Sequence, residues 1–227
     1  MKILKTIIFW VVSIIGIVIL TIGFFAIIAV LQEKIFIPED CITWIFKSPI
    51  SGLVFIFEYY IIFGFFLIIN KDLRIFFKKL CKKRFFAGFS VFNIFILYTL
   101  LFNVSVIKSN EIIDYRFLSP QGVKYSYNDI VKIDTGVYGK KMYLPFTHSK
   151  GDFYYIIKLK DGTKIDLAEM GGSKDDQDPR FIIEKLDSQF VDMGISKTAS
   201  MENFEYCTRN LDKIYTDKIQ KILKNVK

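Results

Sequence analysis

The sequence predicts a membrane α-helical protein with three transmembrane helices followed by a C-terminal α+β domain, and three observations carry that expectation. Apolar residues make up 52% of the 227-residue chain, and most of its 24 Phe lie in the first half. Three runs in that half are long enough to cross a hydrocarbon core, which takes about 20 apolar residues at about 1.5 Å rise each. From Lys108 onward, 20 basic and 18 acidic residues in 120 mark a segment that faces water.

The first span, residues 6–31, holds no charge in 26 positions. It follows Lys2 and Lys5 as a signal peptide would, but its apolar run exceeds the usual 7–15 residues or so and no small-residue cleavage site follows, so an uncleaved anchor is expected. The second span, residues 50–69, is interrupted only by Glu58, and the third, residues 85–107, is uncharged throughout. Together they make a transmembrane region over residues 1–107.

Between spans two and three lies KDLRIFFKKLCKKR, with Lys71, Arg74, Lys78, Lys79, Lys82, Lys83 and Arg84 against one Asp. Positively charged short loops stay on the cytoplasmic side, so this segment is expected inside. Residues 32–49, with Lys34 and Lys47 against Glu33, Glu39 and Asp40, read as an exterior loop. The N-terminus is then cytoplasmic, and three crossings put the C-terminal domain outside; a cytoplasmic domain is the alternative. On a helical wheel the basic residues oppose Phe76, Phe77 and Leu80, a pattern that suits an amphipathic helix on anionic lipid headgroups. Nucleic acid is not expected as a partner, since a 14-residue loop between spans offers no folded platform.

A carboxylate in hydrocarbon is costly unless neutralised or paired. Counting 1.5 Å per residue from the span ends sets Thr21, Tyr98 and Thr99 near the level of Glu58, with Asn103 one turn away. Glu58, Thr21, Tyr98, Thr99 and Asn103 thus form a candidate intramembrane polar cluster. One reading is an ion-conducting or transport role for Glu58; the other is a protonated Glu that hydrogen-bonds between helices as packing.

In the water-facing domain, Glu111 to Leu118 and Val123 to Ser126 read as strands about a Pro120-Gln121-Gly122 turn, and Asp129 to Asp134 as a short alternating strand. Phe153 to Leu167 is the clearest hairpin, with a type I′ turn expected at Asp161-Gly162. Phe153, Tyr155, Ile157 and Leu159 share one face of it. Asp178 as cap and Pro179 at the first position open a helix that Gly194 ends. Ile182, Ile183, Leu186, Phe190 and Met193 form its apolar arc. A further amphipathic helix is expected over about Ser200 to Leu223, within a segment 197–227. Its stripe of Phe204, Leu211, Tyr215 and Ile222 is a candidate face for the domain or for a partner.

YSYNDIVKID (Tyr125 to Asp134), KLKDGTKIDL (Lys158 to Leu167) and RFIIEKLDSQFVDMGI (Arg180 to Ile195) resemble the bacterial pleckstrin-homology-like domains that are appended to membrane spans. The resemblance covers about Ile112 to Gly194 and sets a domain over residues 108–196. It implies an antiparallel, strongly bent sheet closed by one helix, and a binding module without catalytic residues.

Signatures of chemistry are sparse. His148 is the one His, so a His-based metal cluster or a Ser-His-Asp arrangement has too few members in one chain. Cys41, Cys81 and Cys207 lack C-x-x-C spacing, and neither phosphate-binding glycine loop is present. In GGSKDDQD (Gly171 to Asp178) the acids miss the calcium-loop spacing and read as a solvated turn with a helix cap. No cofactor or metal and no enzymatic activity are expected. The expected function is a membrane-anchored, non-catalytic module that binds a protein, peptide or envelope component; the alternative is a transport subunit using Glu58.

Overall fold

In the computed structural model, which describes residues 2–47, 50–80, 83–142, 148–175, 177–209 and 211–226, the chain forms two compact units. One comprises Met1–Lys34 with Leu53–Leu101, and the other Ile35–Gly52 with Phe102–Lys227.

The first unit is helical: α1 (Lys2–Phe36, whose last two residues belong to the second unit), α2 (Phe55–Ile69), α3 (Lys71–Leu80) and α4 (Lys83–Leu101). Three stretches, Ile8–Phe36, Gly52–Ile69 and Arg84–Leu101, are long and apolar enough to cross a membrane. Ile19, Ile22, Ile68 and Val91 point outward, as side chains that meet lipid tails do. Between helices, Phe24 packs on Phe57 at 4.5 Å between ring centroids, and Val54, Ile96 and Leu100 are buried together. Gln32 Nε2 donates to the Leu100 carbonyl at 2.8 Å, which satisfies a buried amide near the ends of α1 and α4. Asn70 ends α2 with an extended backbone, and its side chain accepts from the Asp72 and Leu73 N–H groups, both at 3.0 Å, to start α3. The third span stops at Leu101 rather than running to residue 107, because the apolar run continues into a strand.

The second unit holds two sheets. The first consists of β1 (Cys41–Phe46), β2 (Val104–Lys108), β3 (Glu111–Arg116), β4 (Ser119–Ser126) and β8 (Met170–Ser173), in the order β4-β3-β2-β1-β8. The second consists of β5 (Ile130–Val137), β6 (Phe153–Leu159), β7 (Lys164–Asp166) and β9 (Lys197–Ala199), in the order β7-β6-β5-β9. All pairings are antiparallel except β5 with β9. Helix α5 (Pro179–Asp192) is capped by Asp178, which accepts from Arg180 N at 2.9 Å, and Gly194 follows it at φ 76°.

Residues expected as a connecting loop supply β1, an interior strand. Phe46 lies opposite Val104 of β2, and Thr43 opposite Ser173 of β8. The first sheet is therefore apolar on both faces. Ile45, Ile107 and Ile112 face a core shared with Ile133, Tyr155 and Ile157 of the second sheet and with Ile183, Leu186 and Phe190 of α5. On the other face Phe36, Cys41, Val104, Val106 and Ile113 cluster with Trp44, Phe46 and Tyr115. Gly171 and Gly172 let β8 lie under the Phe46 and Trp44 rings, where any Cβ would collide.

Three further expectations change. The β3–β4 turn falls at Phe117-Leu118, ahead of Pro120-Gln121-Gly122, because Gly122 at φ 80° makes a bulge inside β4. The Asp161-Gly162 turn is a type I turn with a glycine bulge rather than type I′: only Gly162 has positive φ, its N–H meets the Leu159 carbonyl at 2.9 Å, and Leu159 N meets the Thr163 carbonyl at 2.9 Å. The expected last helix, about Ser200 to Leu223, is broken into α6 (Phe204–Thr208) and α7 (Lys213–Lys224), with Asn203 left-handed at φ 65° before α6, and β9 lies just ahead of it.

Candidate binding cleft

The strand ends and helix termini of the second unit enclose a cleft of about 420 Å³, within the range of pockets that take small ligands. The connection after β5 supplies Tyr138, His148 and Lys150; the turn after β7 supplies Ala168 and Glu169; the start of α5 supplies Asp178 and Arg180; α6 supplies Cys207. Both charge signs line it, along with aromatic faces. Lys150 Nζ sits 3.5 Å over the Tyr206 ring, and the Arg180 guanidinium 4.9 Å over Tyr215 while donating to Asp178 at 2.8 Å.

Among the groups with nucleophile or base chemistry in this cleft, the Cys207 thiol is hydrogen-bonded, whereas His148 Nδ1 is buried without a hydrogen-bond partner. Cys207 is buried, its thiol donates to the Gly151 carbonyl at 2.9 Å, and burial pushes its pKa up to about 11. His148 stacks on Tyr138 at 3.7 Å with the rings 11° apart. A thiol with so high a pKa is a poor nucleophile at neutral pH. Cys207 in the folded protein should therefore resist a maleimide pulse at pH 7.5 and react fully once urea exposes it, as read by mass spectrometry. Rapid native labelling would show that the thiol is not held in this way. Asp166, which also reaches the cleft, is pushed up by burial despite accepting from Tyr155 N at 2.9 Å and Ala168 N at 3.0 Å.

Two ionic networks lie elsewhere in the same unit, among residues that do not line the cleft. In the first, Asp114 is fully buried and binds Lys47 at 2.8 Å, Ser105 at 2.5 Å and Arg116. Arg116 also donates to Tyr125 at 2.6 Å and Asp161 at 3.1 Å, so the cation beside the β3–β4 turn is committed within the protein. Burial lowers the Lys47 pKa against the pull of Asp114. Burial would raise Asp161, but hydrogen bonds from Tyr125, Thr163 and Arg116 outweigh it and hold the carboxyl well below the usual carboxylate range. In the second network Asp187 accepts from Tyr155 at 2.8 Å, Asn225 at 2.7 Å and Lys197. Lys197 also caps α7 through the Ile222 and Asn225 carbonyls, at 2.7 and 3.0 Å. Periodicity gave no sign of either network, since their members are far apart in the chain.

The residues singled out in the sequence fall as follows. Glu58 lies in the first turn of α2 and Thr21 in α1; Thr99 Oγ1 donates to the Phe95 carbonyl at 2.8 Å within α4, and Tyr98 is its neighbour. Asn103 leaves this group, because α4 has ended: it belongs to the second unit, where its side chain donates to the Lys47 carbonyl at 2.6 Å. Lys71, Arg74, Lys78 and Lys79 lie on α3 and Arg84 on α4; Lys83 is described by its backbone alone, and Lys82 and Cys81 lie outside the described residues.

The candidate partner face is spent on the domain itself. Ile222 is buried in the main core, Phe204 and Leu211 pack against Cys207 and Ile219, and Tyr215 meets Phe181 edge-on at 6.4 Å. Cys41 and Cys207 sit in separate apolar clusters and form no disulfide. Among the described residues no group of three or more His, Cys, Asp or Glu is placed to hold a metal ion.

Comparison of the chain with protein-family models, with curated proteins and with solved structures returned no match.

Proposed function

We propose that this chain is a membrane-anchored, non-catalytic interaction module. Its second unit is pleckstrin-homology-like, lies on the exterior side and binds a protein, peptide or envelope component in the cleft. The observation that carries this reading is the cleft itself: ligand-sized, lined by both charge signs, with its thiol hydrogen-bonded to a carbonyl and its imidazole stacked on a ring. Such a lining suits recognition of a polypeptide's mixed charges better than bond-breaking chemistry. Two mostly antiparallel sheets sharing a core with α5 favour the pleckstrin-homology-like reading, although β5 and β9 pair in parallel. Strand β1, which lies between the first two spans, pairs with β2, which follows the third. This argues that the first loop and the domain share one side, and the positive-inside rule makes that side the exterior.

Two measurements test the reading. Asn110→Cys, on the exposed β2–β3 turn, should react with a membrane-impermeant maleimide in intact cells, whereas Cys81 in the basic segment should react only after lysis; the reverse pattern would place the domain inside. A photo-crosslinking residue at Lys150 should yield an adduct with a polypeptide or envelope polymer that Arg180→Glu abolishes. Absence of any adduct, together with an ion flux in reconstituted vesicles that Glu58→Gln removes, would establish the transport role instead.

A further inference from the structure

We infer that the β3–β4 turn, Phe117-Leu118, inserts into the headgroup layer of the bilayer. This inference uses the three apolar spans but not the cleft, so it stands or falls separately from the proposed ligand.

The argument begins with register. Phe46 at the end of β1 lies opposite Val104 at the start of β2. Ser105 lies opposite Asp114, so the end of β3 and the Arg116–Ser119 pair that closes its hairpin are at that same end of the sheet. Lys47, the residue after β1, bonds to both Asp114 and the Tyr115 carbonyl at 2.8 Å, which fixes the same alignment by side chain.

The chain then sets a distance. Val104 follows the last residue of the third membrane-crossing stretch, Leu101, by three residues, and Lys47 precedes the second stretch at Gly52 by five. At no more than about 3.6 Å per residue, Val104 is within about 11 Å of one span end and Lys47 within about 18 Å of another. Each headgroup layer is about 5–8 Å deep, half the difference between the whole bilayer and its hydrocarbon core. The end of the sheet carrying Phe117-Leu118 is thus tethered twice at the membrane surface, while the β2–β3 turn at Ser109-Asn110 is at the opposite end.

Chemistry agrees with that placement. Leu118 is 86% exposed, more than any other large apolar side chain among the described residues, and Phe117 beside it is 36% exposed. An apolar turn tip is disfavoured in water and favoured at the interface, where its side chains leave water for the edge of the hydrocarbon. The neighbouring cation, Arg116, is engaged by Asp114 and Asp161, so the contact is apolar insertion rather than headgroup phosphate recognition.

The test places Trp at each end of the sheet in the full chain, reconstituted in vesicles of brominated phosphatidylcholine. Trp10→Phe serves as parent, to remove the signal from the first span. Leu118→Trp should add emission shifted to the blue and lost when bromines sit near the headgroups; Asn110→Trp should add emission like that in water, unaffected by bromine. Unquenched, water-like emission from the Leu118→Trp protein would overturn the inference, and so would equal quenching at both ends. A blue shift without quenching would mean that protein covers the tip, which also overturns it. If the Trp variant does not fold, Leu118→Cys carrying a nitroxide gives the same answer from its accessibility to oxygen against that to a polar nickel complex.

Discussion

Asp187→Ala should destabilise the domain by about 3–5 kcal/mol, because it leaves Lys197 charged and buried without its partner. The side chains of Lys197 and Asp187 are 2% and 1% exposed, so water cannot take the place of the lost carboxylate. The Tyr155 hydroxyl and the Asn225 amide lose the same acceptor. A domain of this size has about 5–15 kcal/mol in all, so the loss is a large part of it. It should appear as a lowered thermal midpoint of the full chain in detergent.

The pH dependence has a definite sign. Burial lowers the Lys197 pKa below 10.5, against the raising effect of Asp187. The unfolded chain therefore binds a proton that the folded one gives up between the folded value and 10.5. The cost of burial is present in full below that window, and stability is regained as pH rises through it. Removing Asp187 widens the window downward, so the variant should be weakest near neutral pH and gain relative to wild type as pH rises toward 10. The paired replacement Asp187→Leu with Lys197→Met should restore part of the loss, since it removes the unpaired charge but still leaves the Tyr155 hydroxyl and the Asn225 amide without their acceptor. A flat pH profile in the single variant would show that Lys197 keeps its proton in the folded state as readily as in the unfolded one, so that its burial carries no cost.

The parts of the fold that sequence made legible are those whose causes are local. Long uncharged runs define the spans, and Asp178, Pro179 and Gly194 bracket α5 within a few residues. The 153–167 hairpin follows from alternation and a glycine turn. What was illegible depends on partners remote in the chain. CITWIF (Cys41 to Phe46) is rich in β-branched and aromatic residues between Pro38 and Pro49, a strand signal, but its mixed-charge surroundings read as a loop. The end of the third span was hidden because VSVI after Asn103 is as apolar as the helix before it, and hydropathy alone does not separate a buried strand from a membrane helix. The cleft was illegible for the same reason: four separate segments bring its lining together, and only the Asp178 cap had a local signature.

The largest effect of all should come from removing β1. A chain of residues 102–227 keeps every other strand and helix of the second unit, yet it is expected not to fold cooperatively. Loss of Ile45 alone takes a fully buried side chain from the main core, a change of about 2–5 kcal/mol even when only truncated to Ala. Loss of the whole strand also unpairs the facing edges of β2 and β8 and uncovers the Val104, Val106 and Ile113 side chains from Phe36, Trp44 and Phe46. Together these exceed what a domain has to lose. The remedy is as specific as the defect. Lys47 N donates to the Asn103 carbonyl at 3.3 Å and the Asn103 side chain to the Lys47 carbonyl at 2.6 Å, so these two residues already close a β1–β2 hairpin whose loop is the pair of membrane spans. Joining residues 35–47 to 102–227 through a short Gly-containing turn should give a water-soluble protein with a single urea transition seen alike by far-ultraviolet circular dichroism and tryptophan emission. If residues 102–227 alone unfold with the same midpoint, β1 is dispensable and the domain owes nothing to the segment between the first two spans.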